Sequence, residues 1–230
     1  MKARKIITLC LSIIILLQVM VFSVLAVDNG TVYIFTYTWS DLNTRAAGSP
    51  TVLRHLWNMG YDAGEYLNNG APAAYSVYPY SQIFVISSHG NAGRVKLGSE
   101  NNVSRIFANC SVSGNNRSLS NLGSNSLANL RLVMYSTCYS GKTSNTEGNL
   151  VTMTRSKGAQ CVVGWNDTLF SGSSDEWIRL FFEKADEAHK PVWECFNHAD
   201  YWIRDIYGSN HANLLVDRHE QGDIYQYLHQ

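Results

Sequence analysis

Two short runs limit what this chain can become. Ile83-Phe84-Val85-Ile86 passes into Ser87-Ser88-His89-Gly90-Asn91-Ala92-Gly93, and Leu130–Tyr135 passes into Ser136-Thr137-Cys138-Tyr139-Ser140-Gly141-Lys142-Thr143. Each is an apolar, β-prone run that stops abruptly in small polar residues. Lack of polar alternation marks a strand covered on both faces, as parallel strands are. In open α/β sheets ligands gather at the carboxyl edge of the strands. If the two strands are neighbours, His89 and Cys138 reach one rim. Either residue alone says little, because free cysteine often only packs and a histidine at a strand end is usually a satisfied surface or core group. The weight lies in the pair, 49 residues apart in matched settings.

The remaining chain supplies the units such a sheet needs. Thr31–Trp39 is rich in β-branched and aromatic residues and forms a first strand. Ser49 as N-cap, Pro50 as first helical residue and Gly60 as stop delimit a helix with Leu53, Leu56 and Trp57 as its stripe. Strand, helix and further strand make a right-handed crossover. Tyr61–Tyr66 has a weaker strand pattern, and Gly70–Tyr80 fits either a helix or a loop. Val95-Lys96-Leu97 against Val103–Phe107 reads as a small hairpin, and Ser111–Asn129 as a mobile polar loop before a short helix near Leu127–Leu130. Glu147–Lys157 forms a helix, Ala159–Gly164 another buried strand, and Ser173–Glu176 a capping box opening the best-patterned helix. Pro191 opens a further helix ending at Gly208. Trp177, Trp193 and Trp202 are expected in the core, Leu214–Val216 is a candidate last short strand, and the later histidines, His219 among them, count as surface or structural.

Composition enters through the amino terminus. Lys2, Arg4 and Lys5 precede the nearly all-apolar Ile6–Leu25, and Val24-Leu25-Ala26 offers small residues where a signal peptide is cut. Met1–Ala26 is therefore expected to be a cleaved signal peptide. An uncleaved anchor is the alternative, since about 20 apolar residues span a bilayer. Residues 27–230 form one domain, secreted or extracytoplasmic, with no membrane contact beyond the signal segment. Without the leader, 15 basic residues face 18 acidic ones, so a nucleic-acid partner is not expected. Cys110, Cys138, Cys161 and Cys195 remain, with no C-x-x-C pair, so neither a zinc site nor any cofactor is expected.

The two motifs resemble the caspase-like (clan CD) cysteine peptidases, which include legumains, clostripains, gingipains and the related CHAT domains. Ser-His-Gly-Asn-Ala-Gly (88–93) is similar to the family's His-Gly block, and Ser-Thr-Cys-Tyr-Ser-Gly (136–141) to its Cys-x-Ser-Gly block. Gly158–Trp165 resembles the strand that follows the nucleophile. The likeness covers about Val32 to Tyr207, with one departure, Thr137, where the family commonly has Ala. The resemblance implies a three-layer α/β sandwich: a mostly parallel sheet with helices on both faces. It also implies a His89–Cys138 dyad acting on a protein or peptide substrate through an acyl-enzyme thioester, with the N–H groups of Gly90 and Cys138 as the oxyanion hole. No third catalytic member is evident.

Ser136 is a candidate for orienting the site or touching substrate. Trp165 and Asp167 follow the next strand, so they are expected at the same rim, lining a pocket for a basic side chain before the cut. Asp41 is a competing acid, and Arg45 would instead suit an acidic or amide side chain. Two other functions share the fold: a non-catalytic binding module, and a transamidase or peptide ligase.

Overall fold

Six strands build the central sheet, five of them parallel and one reversed at an edge. The structure, a computed structural model, describes residues 29–229, so the expected signal peptide lies outside the described residues. The strands are β1 (Thr31–Thr36), β2 (Thr38–Trp39), β3 (Leu42–Asn43), β4 (Asp62–Leu67), β5 (Ser81–Ser87), β6 (Gly90–Asn91), β7 (Arg94–Ser99), β8 (Asn102–Phe107), β9 (Arg117–Ser118), β10 (Leu132–Ser136), β11 (Cys161–Trp165) and β12 (Arg218–Gly222). The helices are α1 (Pro50–Asn58), α2 (Ala71–Val77), α3 (Leu150–Ser156), α4 (Ser171–Asp186), α5 (Val192–Tyr207) and α6 (Ser209–Val216). The central order is β12-β11-β10-β5-β1-β4, with β12 antiparallel to β11 and every other pair parallel. β2 and β3 pair as a hairpin, and β6-β7-β8-β9 form a small sheet.

Alternation along the strands divides two cores. Ile83 and Val85, Leu132 and Met134, and Cys161, Val163 and Trp165 face α1, α4, α5 and α6. Phe84 and Ile86, and Val133 and Tyr135, face α2, α3 and the small sheet. The chain is thus a three-layer α/β sandwich with helices on both faces. β10 and β11 are buried throughout, as the uninterrupted apolar runs require. α1 starts as its sequence predicts: Ser49 Oγ accepts the Val52 N–H at 3.5 Å, and Pro50 needs no donor of its own. The expected β7–β8 hairpin forms, and Tyr61–Tyr66 becomes the edge strand β4.

Several expectations are corrected. Leu214–Val216 is helical, within α6, and the last strand is the polar Arg218–Gly222. Three apolar residues cannot distinguish a strand from a helix turn, and an exposed edge strand needs no apolar pattern. The capping box at Ser173–Glu176 is not made. α4 begins at Ser171, Ser173 Oγ donates to the Phe170 carbonyl, and Glu176 binds Arg179 at 2.9 Å instead. Trp193 and Trp202 are 39% and 40% exposed rather than core, because α5 turns Val192, Phe196, Ala199 and Ile203 inward. Ser111–Asn129 contains no α-helix, yet Leu119 and Leu127 are fully buried and pin it to the second core. Among the described residues no helix is long and apolar enough to cross a membrane.

Candidate active site

The site is set by strand register. Ser87 at the end of β5 pairs with Ser136 at the end of β10. Parallel neighbours lie about 4.8 Å apart, and His89 and Cys138 each stand two residues beyond that pair. Tyr135 pairs with Gly164 on β11, so Trp165 is level with Ser136 and Asp167 is level with Cys138. One rim therefore carries His89, Cys138 and Asp167. The two motif loops touch through Gly90. A Cβ there would collide with Thr137 Oγ1 and come within 2.7 Å of Thr137 Cβ and 3.0 Å of the Cys138 carbonyl oxygen. Only glycine lets the histidine loop lie this close to the backbone of the cysteine loop.

Cys138 is half-buried. Its Sγ accepts the Leu169 N–H at 3.3 Å, from the loop between β11 and α4. The Cys138 N–H makes no hydrogen bond among the described residues. The turn behind it is tightly held. Tyr139 has a positive φ of 57°, an uncommon conformation for a bulky residue that costs about 1–3 kcal/mol. Its N–H donates to the Asp167 carbonyl at 3.1 Å and its hydroxyl meets Thr168 Oγ1 at 2.8 Å. Buried Ser140 donates to the Tyr135 carbonyl at 2.7 Å and accepts the Trp165 N–H at 3.0 Å. Gly141 lies flat on β11, where a Cβ would stand 2.7 Å from the Gly164 carbonyl. Its own carbonyl faces Asn149 Nδ2 at 2.6 Å and His219 Nδ1 at 2.9 Å.

His89 is oriented from the other side. Its ring stacks on Trp39, centroids 5.0 Å apart and planes within 3°. Its Nε2 lies 3.1 Å from Asp41 Oδ1. That hydrogen bond holds the Asp41 carboxyl below the usual range. The Trp39 indole N–H donates to the Gly98 carbonyl at 2.9 Å, which locks the aromatic platform to β7. Asp41 thus joins the site as the partner of His89, a third member not evident from the motif. Its sequence signal was position: it follows the end of the first strand, beside β5.

Asp175 ties these parts together from below. It is buried in the first turns of α4, accepts Ser87 Oγ at 2.9 Å and the Ala47 N–H, and burial pushes its pKa up to about 7. A carboxyl whose folded pKa is raised makes the native state bind more protons than the unfolded state. Stability is then fully present below about pH 4 and declines as pH rises towards 7. Asp175→Asn keeps an acceptor and removes the buried charge. We expect it to match the parent at pH 4 and to exceed it by about 1–3 kcal/mol at pH 8 in denaturant unfolding. A parent with equal stability at both pH values would refute this.

The remaining sequence candidates are placed differently. Trp165 is wholly buried, its indole N–H donating to the Leu215 carbonyl at 2.9 Å, so it cannot wall a substrate pocket. Ser136 is 3% exposed and its hydroxyl has no partner among the described residues, so it lies beneath the rim and not in reach of substrate. Asp167 is half-exposed, with one carboxylate oxygen accepting the Thr168 N–H at 2.7 Å. Arg45 faces Glu65 at 3.7 Å. All four described cysteines are free thiols. Among the described residues no cluster of three His, Cys, Asp or Glu side chains could hold a metal ion.

No family model matches the chain, and no curated protein matches it by sequence. Solved structures do match. The complex of pro- and mature domains of RgpB from Porphyromonas gingivalis aligns with a TM-score of 0.62 at 11% identity, over 88% of this chain and 49% of that one. The Arg-specific cysteine proteinase gingipain R aligns with a TM-score of 0.58 at 12% identity, over 87% and 48%. The Drosophila initiator caspase Dronc aligns with a TM-score of 0.48 at 9% identity, over 88% and 84%. The chain spans about half the length of the two gingipain chains. With the sheet order, the two gingipain likenesses give the chain the caspase-like fold of the clan CD cysteine peptidases.

Proposed function

We propose that this protein is a cysteine endopeptidase working through Cys138 and His89. The observation that carries the reading is the Ser87–Ser136 register, which sets the two side chains on adjacent strand ends, with Gly90 packed against Thr137 and Cys138. The Cys138 thiolate attacks the scissile carbonyl. The N–H groups of Gly90 and Cys138 receive the oxyanion, a role open to the Cys138 N–H, which has no hydrogen-bond partner among the described residues. His89 protonates the leaving amine, leaving a thioester on Sγ. Water then attacks that thioester, His89 takes its proton, and the acid product departs as the thiolate reforms. With Nε2 turned to Asp41, Nδ1 is the nitrogen left for both transfers.

For the residue before the cut we propose a basic side chain. Asp167 supports this: it stands at the rim, half-exposed and level with Cys138. The similar gingipain R is described as Arg-specific. The test is labelling with acyloxymethyl ketones bearing Arg, Lys, Asn or Asp at the reactive end, read by mass spectrometry. Cys138 is expected to carry the Arg and Lys probes, and Asp167→Asn to weaken that labelling by about tenfold. Labelling by Asn or Asp probes in preference rejects the specificity. No labelling by any probe rejects the peptidase.

A further inference from the structure

Beyond His89 lies a cleft of about 260 Å³, walled by His89, Gly90, Asn91, Arg94, Lys96 and Arg105. Its charge pattern is unusual. In the β7–β8 register Lys96 stands directly opposite Arg105, and Arg94 lies two residues from Lys96, so all three cations share one face. Like charges directly across an antiparallel pair repel and destabilise the sheet. The surroundings offset this only in part. Arg94 pairs with Glu147 at 2.8 Å. The Lys96 ammonium sits over the Trp39 ring at 4.5 Å, with Asp41 and Glu100 within electrostatic reach. The Arg105 guanidinium has no ion pair among the described residues. The hairpin therefore keeps a positively charged face open beside the histidine, where folding alone would favour mixed charge.

We propose that this cleft is a carboxylate-binding subsite, taking an Asp or Glu side chain of the substrate within two residues after the cut. This rests on the peptidase reading of Cys138 and His89. The direction follows from the chemistry. His89 gives its proton to the leaving amine, so the segment released first departs past the histidine, and the cleft begins in that wall. The other end of the rim, at Asp167 and Leu169, is left for residues before the cut. A carboxylate between Lys96 and Arg105 relieves their repulsion, and the forked guanidinium donors match its two oxygens. Asn91 at the mouth adds an amide for the same group.

The experiment uses quenched fluorogenic peptides, constant before the cut and amidated at the carboxyl end. Glu, Gln or Lys is placed at the first or second position after the cut. Glu is expected to exceed Gln in kcat/KM by about three- to tenfold, with Lys poorest, and rising salt should narrow the gap. Arg105→Gln, checked by its melting curve, should bring the Glu-to-Gln ratio close to one. The same peptides are then bound to the Cys138→Ala protein and followed by fluorescence anisotropy, which needs no turnover. Tighter binding of the Glu peptide supports the cleft even if the wild-type protein hydrolyses nothing, in which case only the peptidase reading falls. Cleavage or binding indifferent to Glu and Gln overturns the subsite.

Discussion

Replacing Cys138 by Ala is expected to abolish turnover, with a loss of roughly 10⁴-fold or more, as removal of a covalent nucleophile does elsewhere. The surroundings say why this thiol and no other. Burial pushes the Cys161 and Cys195 thiols up to about 12, so both are inert at neutral pH. Cys110 is half-exposed, but its Sγ faces the Ser111 carbonyl at 3.4 Å, a partner for the thiol form only. Cys138 Sγ also faces a carbonyl, that of Leu169 at 3.8 Å, but in addition it accepts the Leu169 N–H at 3.3 Å, a bond that strengthens with negative charge on sulfur. Brief iodoacetamide treatment should alkylate Cys138 before Cys110 and leave Cys161 and Cys195 untouched in the folded protein. Peptide mapping that finds Cys110 modified first, or a Cys138→Ala protein that still turns over, would remove Cys138 from the chemistry.

The parts of this design that the sequence discloses are those written in buried strands. β5 and β10 carry uninterrupted apolar runs, Ile83-Phe84-Val85-Ile86 and Leu132-Val133-Met134-Tyr135, because both faces are covered, so their ends, and hence the positions of His89 and Cys138, can be counted from the sequence. The same logic extends to β11, where period-2 alternation reaches the last residue. Cys161, Val163 and Trp165 share a face, and that face packs on α4 and α5, so Trp165 belongs to the core however near it comes to the rim. Asp41 and Trp39 were harder to place. They follow β1, and β1 lies beside β5 only because the chain crosses over before returning, a pairing that no local pattern records. His219 was invisible for a different reason. β12 is a polar edge strand, so nothing in Arg218–Gly222 announces a strand, yet its pairing with β11 brings His219 onto the Gly141 carbonyl. The basic cleft also needs the hairpin register, since Lys96 and Arg105 are opposed only once Leu97 pairs with Ser104.

His89→Ala is expected to lower kcat by about 10²- to 10⁴-fold while changing KM little, the range for a general acid–base group whose interaction strengthens in the transition state. The ring is placed by packing and by charge together. Trp39 fixes its plane and Asp41 fixes its tautomer, each from a segment that contacts neither Cys138 nor its loop in the hydrogen-bond network. Two lesser substitutions separate these contributions. Trp39→Leu removes the stack and should cost about tenfold in kcat through misorientation, because a small displacement of a positioned group is felt strongly in rate. Asp41→Asn leaves the Trp39 stack in place and removes the carboxylate that faces Nε2, so the ring is held less firmly and kcat should fall by about tenfold. A His89→Ala protein with near-parental kcat would exclude His89 as the proton donor. An Asp41→Asn protein with near-parental kcat would exclude Asp41 as the group that holds the ring.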